Sequence, residues 1–356
     1  MTQLANDARS VHNVGSSRGL GGGVLLAVIS ATSFGMSGSL ADGLLSTGWS
    51  PGAIVLARIG IAALVLAPFA AASLRGLWPL LRAQLPQILV YGVVAVAGAQ
   101  FCYFSAVATM DVAPALLIEY TAPAAVVAWL WIRHNQRPRP LTLAGAGLAA
   151  AGLVLVLDLL SGAELAWSGV AWALAAMIGA TAYFLISADT DSGLPPLALA
   201  GAGLVVGALA LAVLAAVGVL PMHASTRTVT YAIGGTPWWE PLLLLGLITA
   251  ALAYTTGIAA SRRLGSRVAS FVALLEVVAG VGFAWLLVDQ LPGVSQLIGG
   301  LLIIAGVVTV KIADRTTGWP ADGTARQDST STGSSRPSST GSGTAWSRAG
   351  GPCSPS

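Results

Sequence analysis

Three ionisable side chains stand inside long apolar stretches of the sequence: Arg58, Glu119 and Glu276. A charge at the centre of a lipid bilayer costs at least about 2.5–3.5 kcal/mol on insertion scales, so such residues are candidates for function. A guanidinium can hold a carboxylate through two parallel hydrogen bonds, and a carboxyl can bind an amine or carry a proton. The three residues therefore predict a buried polar site.

The spacing of two of these residues predicts that they lie at similar depth. Two predicted helices begin at the same membrane surface, one at Pro51 and the other at Val112. Arg58 lies seven residues after Pro51, and Glu119 lies seven residues after Val112. At a rise of 1.5 Å per residue both lie about 10 Å below that surface, so we expect them to interact. Two interpretations stay open: a static ion pair between helices, or a site in which Arg58 holds a substrate carboxylate and Glu119 holds an amine or a proton.

Glu276 is expected at greater depth. A gap-free comparison of the two halves of the chain matches it with Ala122, one helical turn from Glu119. Removal from water disfavours the charged form of a carboxyl, so Glu276 could load and release a proton. Proton-coupled exchange with Glu276 as the proton carrier is one hypothesis. A protonated Glu276 that donates to a backbone carbonyl is the other.

Aromatic and amide side chains within the apolar stretches could line a pocket, because tyrosine and glutamine both donate and accept hydrogen bonds. Helix packing or lipid contact is the alternative for each of them. These candidates are Gln100, Tyr103, Tyr120, Trp172, Tyr183 and Tyr254.

The sequence lacks the residue patterns that an enzyme, a metal site or a nucleic-acid-binding surface would need. His12, His134 and His223 fall outside the apolar stretches, and Cys102 and Cys353 form no metal-binding pattern. The sequence has no H-E-x-x-H, no G-x-S-x-G and no Walker loop. It also has no basic stripe of the kind that binds nucleic acid. We therefore expect neither an enzyme nor a metal or cofactor site.

Composition predicts that the solvent is a bilayer. The 356 residues are 55% hydrophobic and only 9% charged, against about 25% charged in soluble domains. A spanning helix needs about 20 apolar residues, and ten segments qualify, which predicts an all-α integral membrane protein. They are Leu20–Ala41, Pro51–Ala72, Gln87–Thr109, Val112–Ile132, Leu141–Leu160, Ser168–Ser187, Leu197–Leu220, Pro241–Ala260, Val268–Val288 and Val294–Ile312.

The arginines and lysines predict the orientation. Loops on the cytoplasmic side of a membrane collect these residues. With the N-terminus inside, all 17 fall in inner segments except Arg227 and Arg58. One inner loop departs from the pattern, because it carries Asp189 and Asp191. We expect a multi-pass protein of the cell (inner) membrane, with a cytoplasmic segment over residues 1–18 and a disordered cytoplasmic tail over residues 314–356.

An internal repeat divides the chain. Gln136-Arg137-Pro138 and Gln290-Leu291-Pro292 define an offset of 154 residues, and glycines and a tryptophan match at the same offset. Those pairs are Gly92 with Gly246, Trp131 with Trp285, Gly145 with Gly299 and Gly152 with Gly306. We predict two five-helix repeats, at residues 19–160 and 167–313. Five is an odd number, so the second copy is inserted upside down, as in many secondary transporters.

These features resemble the EamA type of the drug/metabolite transporter superfamily over about residues 20 to 312. The resemblance rests on the two five-helix halves and on short motifs in fixed order: Ala57-Arg58-Ile59, Glu119-Tyr120-Thr121-Ala122-Pro123, Leu274-Leu275-Glu276, and Gln296-Leu297-Ile298-Gly299 with Gly306. The chain departs from the pattern at three positions. Gln136 and Gln290 stand where similar proteins usually carry Glu, and Val277 stands where Pro often follows the Glu.

The resemblance implies a secondary transporter that moves small metabolites by alternating access, without ATP. We expect it to export amino acids or related compounds. Its expected partners are the lipid bilayer and a small-molecule substrate, and the proton is a hypothetical coupling ion. A polytopic membrane sensor or assembly scaffold without transport is the alternative.

Overall fold

The structure, a computed structural model, describes residues 2–107, 109–110, 112–157 and 166–315. Most of the predicted tail therefore lies outside the described residues. The α-helices are α1 Thr2–Ser46, α2 Pro51–Ser73, α3 Trp78–Ala83, α4 Leu85–Val90, α5 Ala99–Val107, α6 Val112–Glu119, α7 Ala122–His134, α8 Pro140–Val156, α9 Trp167–Ala188, α10 Pro196–Ala216, α11 Trp239–Gly246, α12 Ala253–Ala273, α13 Leu275–Val288 and α14 Val294–Arg315. Two π-helical segments, Tyr91–Gly98 and Leu247–Leu252, join α4 to α5 and α11 to α12.

Eight helical spans in the described chain are long and apolar enough to cross a membrane. Two further apolar helices, α8 and α13, have 17 and 14 residues, so helix length alone does not give the predicted ten. The predicted ninth span is divided: its first part belongs to the 35-residue run Trp239–Ala273. Gly265 bends that run with a φ of 75°, a backbone angle that glycine adopts without strain.

Breaks in the helices fall at equivalent positions of the two copies. The predicted fourth span breaks at Tyr120, where α6 gives way to α7, and the predicted ninth breaks at Leu274, 154 residues later. Pro123 explains the first break, because its ring clashes with the carbonyl of Glu119 in a continuous helix. The copies also share left-handed caps at Asn135 and Asp289, again 154 residues apart. The repeat read from the sequence is thus a structural repeat.

Helices α8 and α14 pack backbone to backbone through matched glycines. A Cβ on Gly152 would lie 2.5 Å from the Gly299 carbonyl oxygen, and one on Gly145 would lie 2.8 Å from that of Gly306. Small residues permit this close approach. The offset of 154 exchanges the two contacts, so the antiparallel pair has local two-fold symmetry.

A short hairpin covers one end of the bundle, which we name the hairpin end. Strands β1 (Val229–Tyr231) and β2 (Gly234–Thr236) pair antiparallel. The Tyr231 hydroxyl donates to the Leu40 carbonyl at 2.8 Å, and the backbone N–H of Ala232 donates to the Leu287 carbonyl at 2.8 Å. The hairpin therefore ties α1 to α13.

Replacing Gly152 with alanine should lower the free energy of unfolding by about 1–3 kcal/mol, because the new methyl group overpacks the α8–α14 contact. Gly147→Ala on the same helix is the matched control, since a Cβ there meets no atom within 4 Å. It should be neutral or stabilising, because alanine is the better helix former. Thermal unfolding of the purified protein in detergent measures both, and equal melting temperatures would contradict the close contact.

Candidate functional site

A cavity of ≈ 200 Å³ lies in the interior of the bundle, with walls from both copies of the repeat. The structure brings eight of the nine predicted site residues to its wall: Arg58, Gln100, Tyr103, Glu119, Tyr120, Tyr183, Tyr254 and Glu276. The ninth, Trp172, lies outside the cavity. Its side chain is 39% exposed and contacts the Phe101 ring edge-on at 5.7 Å between centroids.

The wall uses the same register positions of the two copies. From residue 92 of the first copy onward, where the two copies match without a gap, six pairs of lining residues are related by the offset of 154, and the members of a pair differ in chemistry. They are Gln100 with Tyr254, Tyr103 with Gly257, Leu116 with Ser270, Glu119 with Ala273, Tyr120 with Leu274, and Ala122 with Glu276. A near-symmetric shell therefore carries asymmetric charges.

Arg58 is held in the wall by a backbone carbonyl. Its Nη2 donates to the Thr249 carbonyl at 2.7 Å, and Thr249 lies in the second π-helical segment. Its guanidinium carbon also lies 5.6 Å from the centroid of the Phe34 ring, within the range of a cation–π contact. Nε of Arg58 is buried and has no hydrogen-bond partner. A donor of the guanidinium thus remains for a ligand.

The expected interaction between Arg58 and Glu119 does not take the form of an ion pair in the described structure. Among the described residues Arg58 forms no ion pair with Glu119, and the carboxyl that acts on it electrostatically is Glu276. The depth of a residue in the membrane does not determine the direction in which its side chain points from the helix axis. In addition, α6 ends at Glu119. Depth alone could therefore not identify the partner of Arg58.

The two carboxyls flank the helix breaks. Glu119 is the last residue of α6, and Glu276 lies in the first turn of α13, where the helix dipole favours negative charge. The Tyr120 hydroxyl lies near the Glu276 carboxyl, and Glu276 in its charged form repels a charge on Glu119. The pair can therefore bind one cation, amine or proton between them more easily than carry two negative charges.

Hydroxyl groups also line the wall. The Tyr183 and Tyr254 rings meet edge-on at 5.7 Å between centroids, and the Tyr183 hydroxyl is buried without a partner. Ser30 donates to the Ala253 carbonyl at 2.8 Å, next to Gly257. A side chain at Gly257 would collide with the Tyr183 hydroxyl, so this glycine provides part of the space.

Sequence reasoning missed Ser30, Gly257 and Ser261. The offset of 154 could have found Gly257, because it is the equivalent of Tyr103. Ser30 and Ser261 had no such signal, since serine is common in membrane helices. In the described part of the chain no three His, Cys, Asp or Glu side chains form a group that could hold a metal ion.

The arrangement suits a small molecule with an anionic group and a second polar group. One guanidinium and two carboxyls face the same cavity, and unpartnered hydroxyls complete its hydrogen-bonding capacity. The pairing of a cation with carboxyls across one cavity suits a zwitterion better than a simple anion.

Comparison with known proteins gives a family and a fold. The sequence model of the EamA-like transporter family matches twice, at residues 21–158 and 167–312. No curated protein sequence matches the chain significantly. A crystal structure of a protein with 23% identity covers 83% of this chain and 99% of its own, with a TM-score of 0.66. That likeness shows a common fold.

Replacing Arg58 with methionine should leave the protein at least as stable as the wild type, because a buried charge without an ion pair is costly to desolvate and methionine is not. Thermal unfolding of the purified variant in detergent measures this. Arg75→Met, at the exposed end of α2, is the control and should change little. A clear loss of stability in Arg58→Met alone would show that the bond to Thr249 holds α2 in the bundle.

Proposed function

Because the chain belongs to the EamA-like transporter family, we propose that it is a secondary transporter that exports small metabolites such as amino acids or related compounds. Family membership and its membrane-spanning helices make it a multi-pass membrane transporter of a small-molecule substrate. Substrate class, direction and coupling ion are the proposed parts.

The observation that carries the proposal is the cavity itself. In a chain with only 9% charged residues, one guanidinium and two carboxyls meet in a single interior space. Retaining three such groups in an apolar bundle is costly. A purely structural bundle would gain stability from apolar residues at the same positions, so a ligand accounts for them better.

We place ten helices across the cell (inner) membrane, in two oppositely inserted five-helix repeats at residues 19–160 and 167–313. The shared breaks and caps at the offset of 154 support this arrangement, as does the two-fold contact between α8 and α14. The arginine distribution supports cytoplasmic termini. The hairpin end then faces away from the cytoplasm.

Arg58 is the proposed partner of a substrate carboxylate. Arg58 lines the cavity and its Nε has no hydrogen-bond partner, so a carboxylate there would compete with Glu276 for the guanidinium. Glu119, which lines the same cavity, would receive the substrate amine. A zwitterion would thus satisfy Arg58 and one carboxyl together.

Glu276 is the proposed proton carrier. A substrate carboxylate that neutralises Arg58 removes the charge that stabilises ionised Glu276, so substrate entry would favour proton uptake by Glu276. Binding of the substrate is in this way linked to binding of the proton. The helix breaks beside both carboxyls are points at which the halves can bend.

The experiment that tests the function is a flux screen. Purified protein in lipid vesicles should move one or more radiolabelled amino acids or related metabolites faster than protein-free vesicles. A pH gradient should change that rate. A complete panel without protein-dependent flux would reject the carrier and favour a sensor or scaffold.

Arg58→Met should weaken apparent substrate affinity by at least about thirtyfold, because loss of one partner of a buried charge pair costs about 2–5 kcal/mol. Concentration dependence of flux measures this, with Arg75→Met as the control that should match the wild type. Unchanged affinity in Arg58→Met would remove Arg58 from the substrate site.

The Glu276→Gln variant should transport substrate without responding to a pH gradient. The amide keeps the shape of the carboxyl but cannot take up and release a proton as the carboxyl does. Flux at equal and unequal pH on the two sides measures the response. Glu240→Gln, outside the cavity, should retain it. A full gradient response in Glu276→Gln would assign proton coupling to another residue.

A further inference from the structure

Unpartnered polar groups are concentrated in one region of the described chain, between the cavity and the end of the bundle opposite the hairpin. In the described residues as a whole, ten buried side-chain atoms lack a hydrogen-bond partner. Seven of these ten atoms belong to six residues of this region. We name these residues the hydroxyl seam: Gln87, Tyr91, Tyr183, Ser187, Ser261 and Arg262. Buried polar groups without protein partners are the places where internal water binds.

The hydroxyl seam begins at the cavity. Tyr183 and Ser261 line the cavity wall, and the Tyr183 ring lies 6.0 Å from that of Tyr91. Ser187 follows Tyr183 by one helical turn on α9, and its hydroxyl lies beside that of Tyr91. Tyr91 is fully buried and does not line the cavity, so the seam continues the polar wall into the protein.

The seam ends at an acidic side chain near the surface. Arg262, directly after Ser261, donates to the Leu194 carbonyl and is attracted by Asp189. Asp189 accepts a hydrogen bond from Gln87 Nε2 at 2.8 Å and is half-buried in the α9–α10 loop. Over the six residues from Tyr183 to Asp189, α9 rises about 9 Å. The polar groups of the seam therefore extend from the cavity wall to Asp189, with unpartnered hydroxyls between the two ends.

We propose that the hydroxyl seam is a hydrated proton path between the carboxyls of the cavity and Asp189. A hydroxyl can accept a proton on its oxygen while it passes its own proton to the next acceptor, so a chain of tyrosine, serine and water oxygens moves charge without moving a side chain far. A proton released by Glu276 passes along the seam and is accepted by Asp189 or by water beside it.

The charges that face the seam fit this role. Glu276, Glu119 and Arg58 act at the cavity end, together with Tyr254, Tyr103 and Tyr120. Arg262 and Asp189 act at the other end. Arg262 would repel a proton in transit, and Asp189 offsets that repulsion. This also gives a reason for an acidic loop on a side of the protein otherwise rich in arginine.

The first test measures hydration and needs no substrate. The full-length protein in lipid nanodiscs is exposed to X-ray-generated hydroxyl radicals, and side-chain oxidation is read by mass spectrometry. Tyr91 is 0% exposed and Phe271 2% exposed. After correction for intrinsic reactivity, Tyr91 should be oxidised several-fold faster than Phe271, because radicals form from the water beside it. Equal protection of the two residues would overturn the hydrated seam.

The second test measures proton movement and rests on the proton-coupled carrier proposed above. Vesicles that contain the protein and the pH-sensitive dye pyranine receive an equimolar mixture of the twenty common L-amino acids. Tyr91→Phe and Ser187→Ala should slow the proton signal by about 100-fold, the lower range for loss of a positioned proton-transfer group. Exchange of labelled amino acids at equal pH should continue in both variants. Tyr231→Phe, in the hairpin, is the matched control with a normal proton signal.

The outcomes separate the two proposals. A normal proton signal in Tyr91→Phe and Ser187→Ala would overturn the relay even if the seam is wet. Wild-type amino-acid flux without any proton signal would overturn proton coupling, and with it the relay, while leaving the carrier function in place. Loss of proton signal with retained exchange in both variants would support the path.

Discussion

A lipid bilayer offers no hydrogen-bond partners to a protein, and this constraint explains most of what is seen here. The backbone satisfies it by forming helices along nearly the whole described chain. Where the helices are interrupted, the freed groups face the interior: the π-helical carbonyl of Thr249 accepts from Arg58, and the breaks at Tyr120 and Leu274 border the cavity. Irregular backbone therefore coincides with the polar site, as the physics of membrane proteins requires.

The internal repeat places the helix breaks of both copies beside the cavity. Because both copies break at the same position, two irregular segments border the same cavity. The α8–α14 pair lies outside that space, and its glycines hold the copies together at backbone distance. The broken helices border the cavity and can form the binding wall.

Symmetry in the shell contrasts with asymmetry in the chemistry. Glu119 lines the cavity where the equivalent position of the other copy is Ala273, and Glu276 lines it where the equivalent position is Ala122. Among the described residues that line the cavity, Arg58 contributes the only guanidinium. Two packings that are nearly equal in shape can exchange, but the charges give the ligand one preferred orientation in the cavity.

The sequence by itself determined the membrane character, the positions of the apolar segments and the repeat, because these follow from hydropathy and from self-similarity along the chain. It also identified most of the cavity wall, since charged, tyrosine and glutamine side chains in apolar helices are few. Only the tertiary structure decided that Glu276, rather than Glu119, acts on Arg58, that Trp172 stays outside, and that Ser30, Gly257 and Ser261 complete the wall. Those facts depend on the rotation of each helix about its axis and on where the helices break, and neither is set by composition or depth.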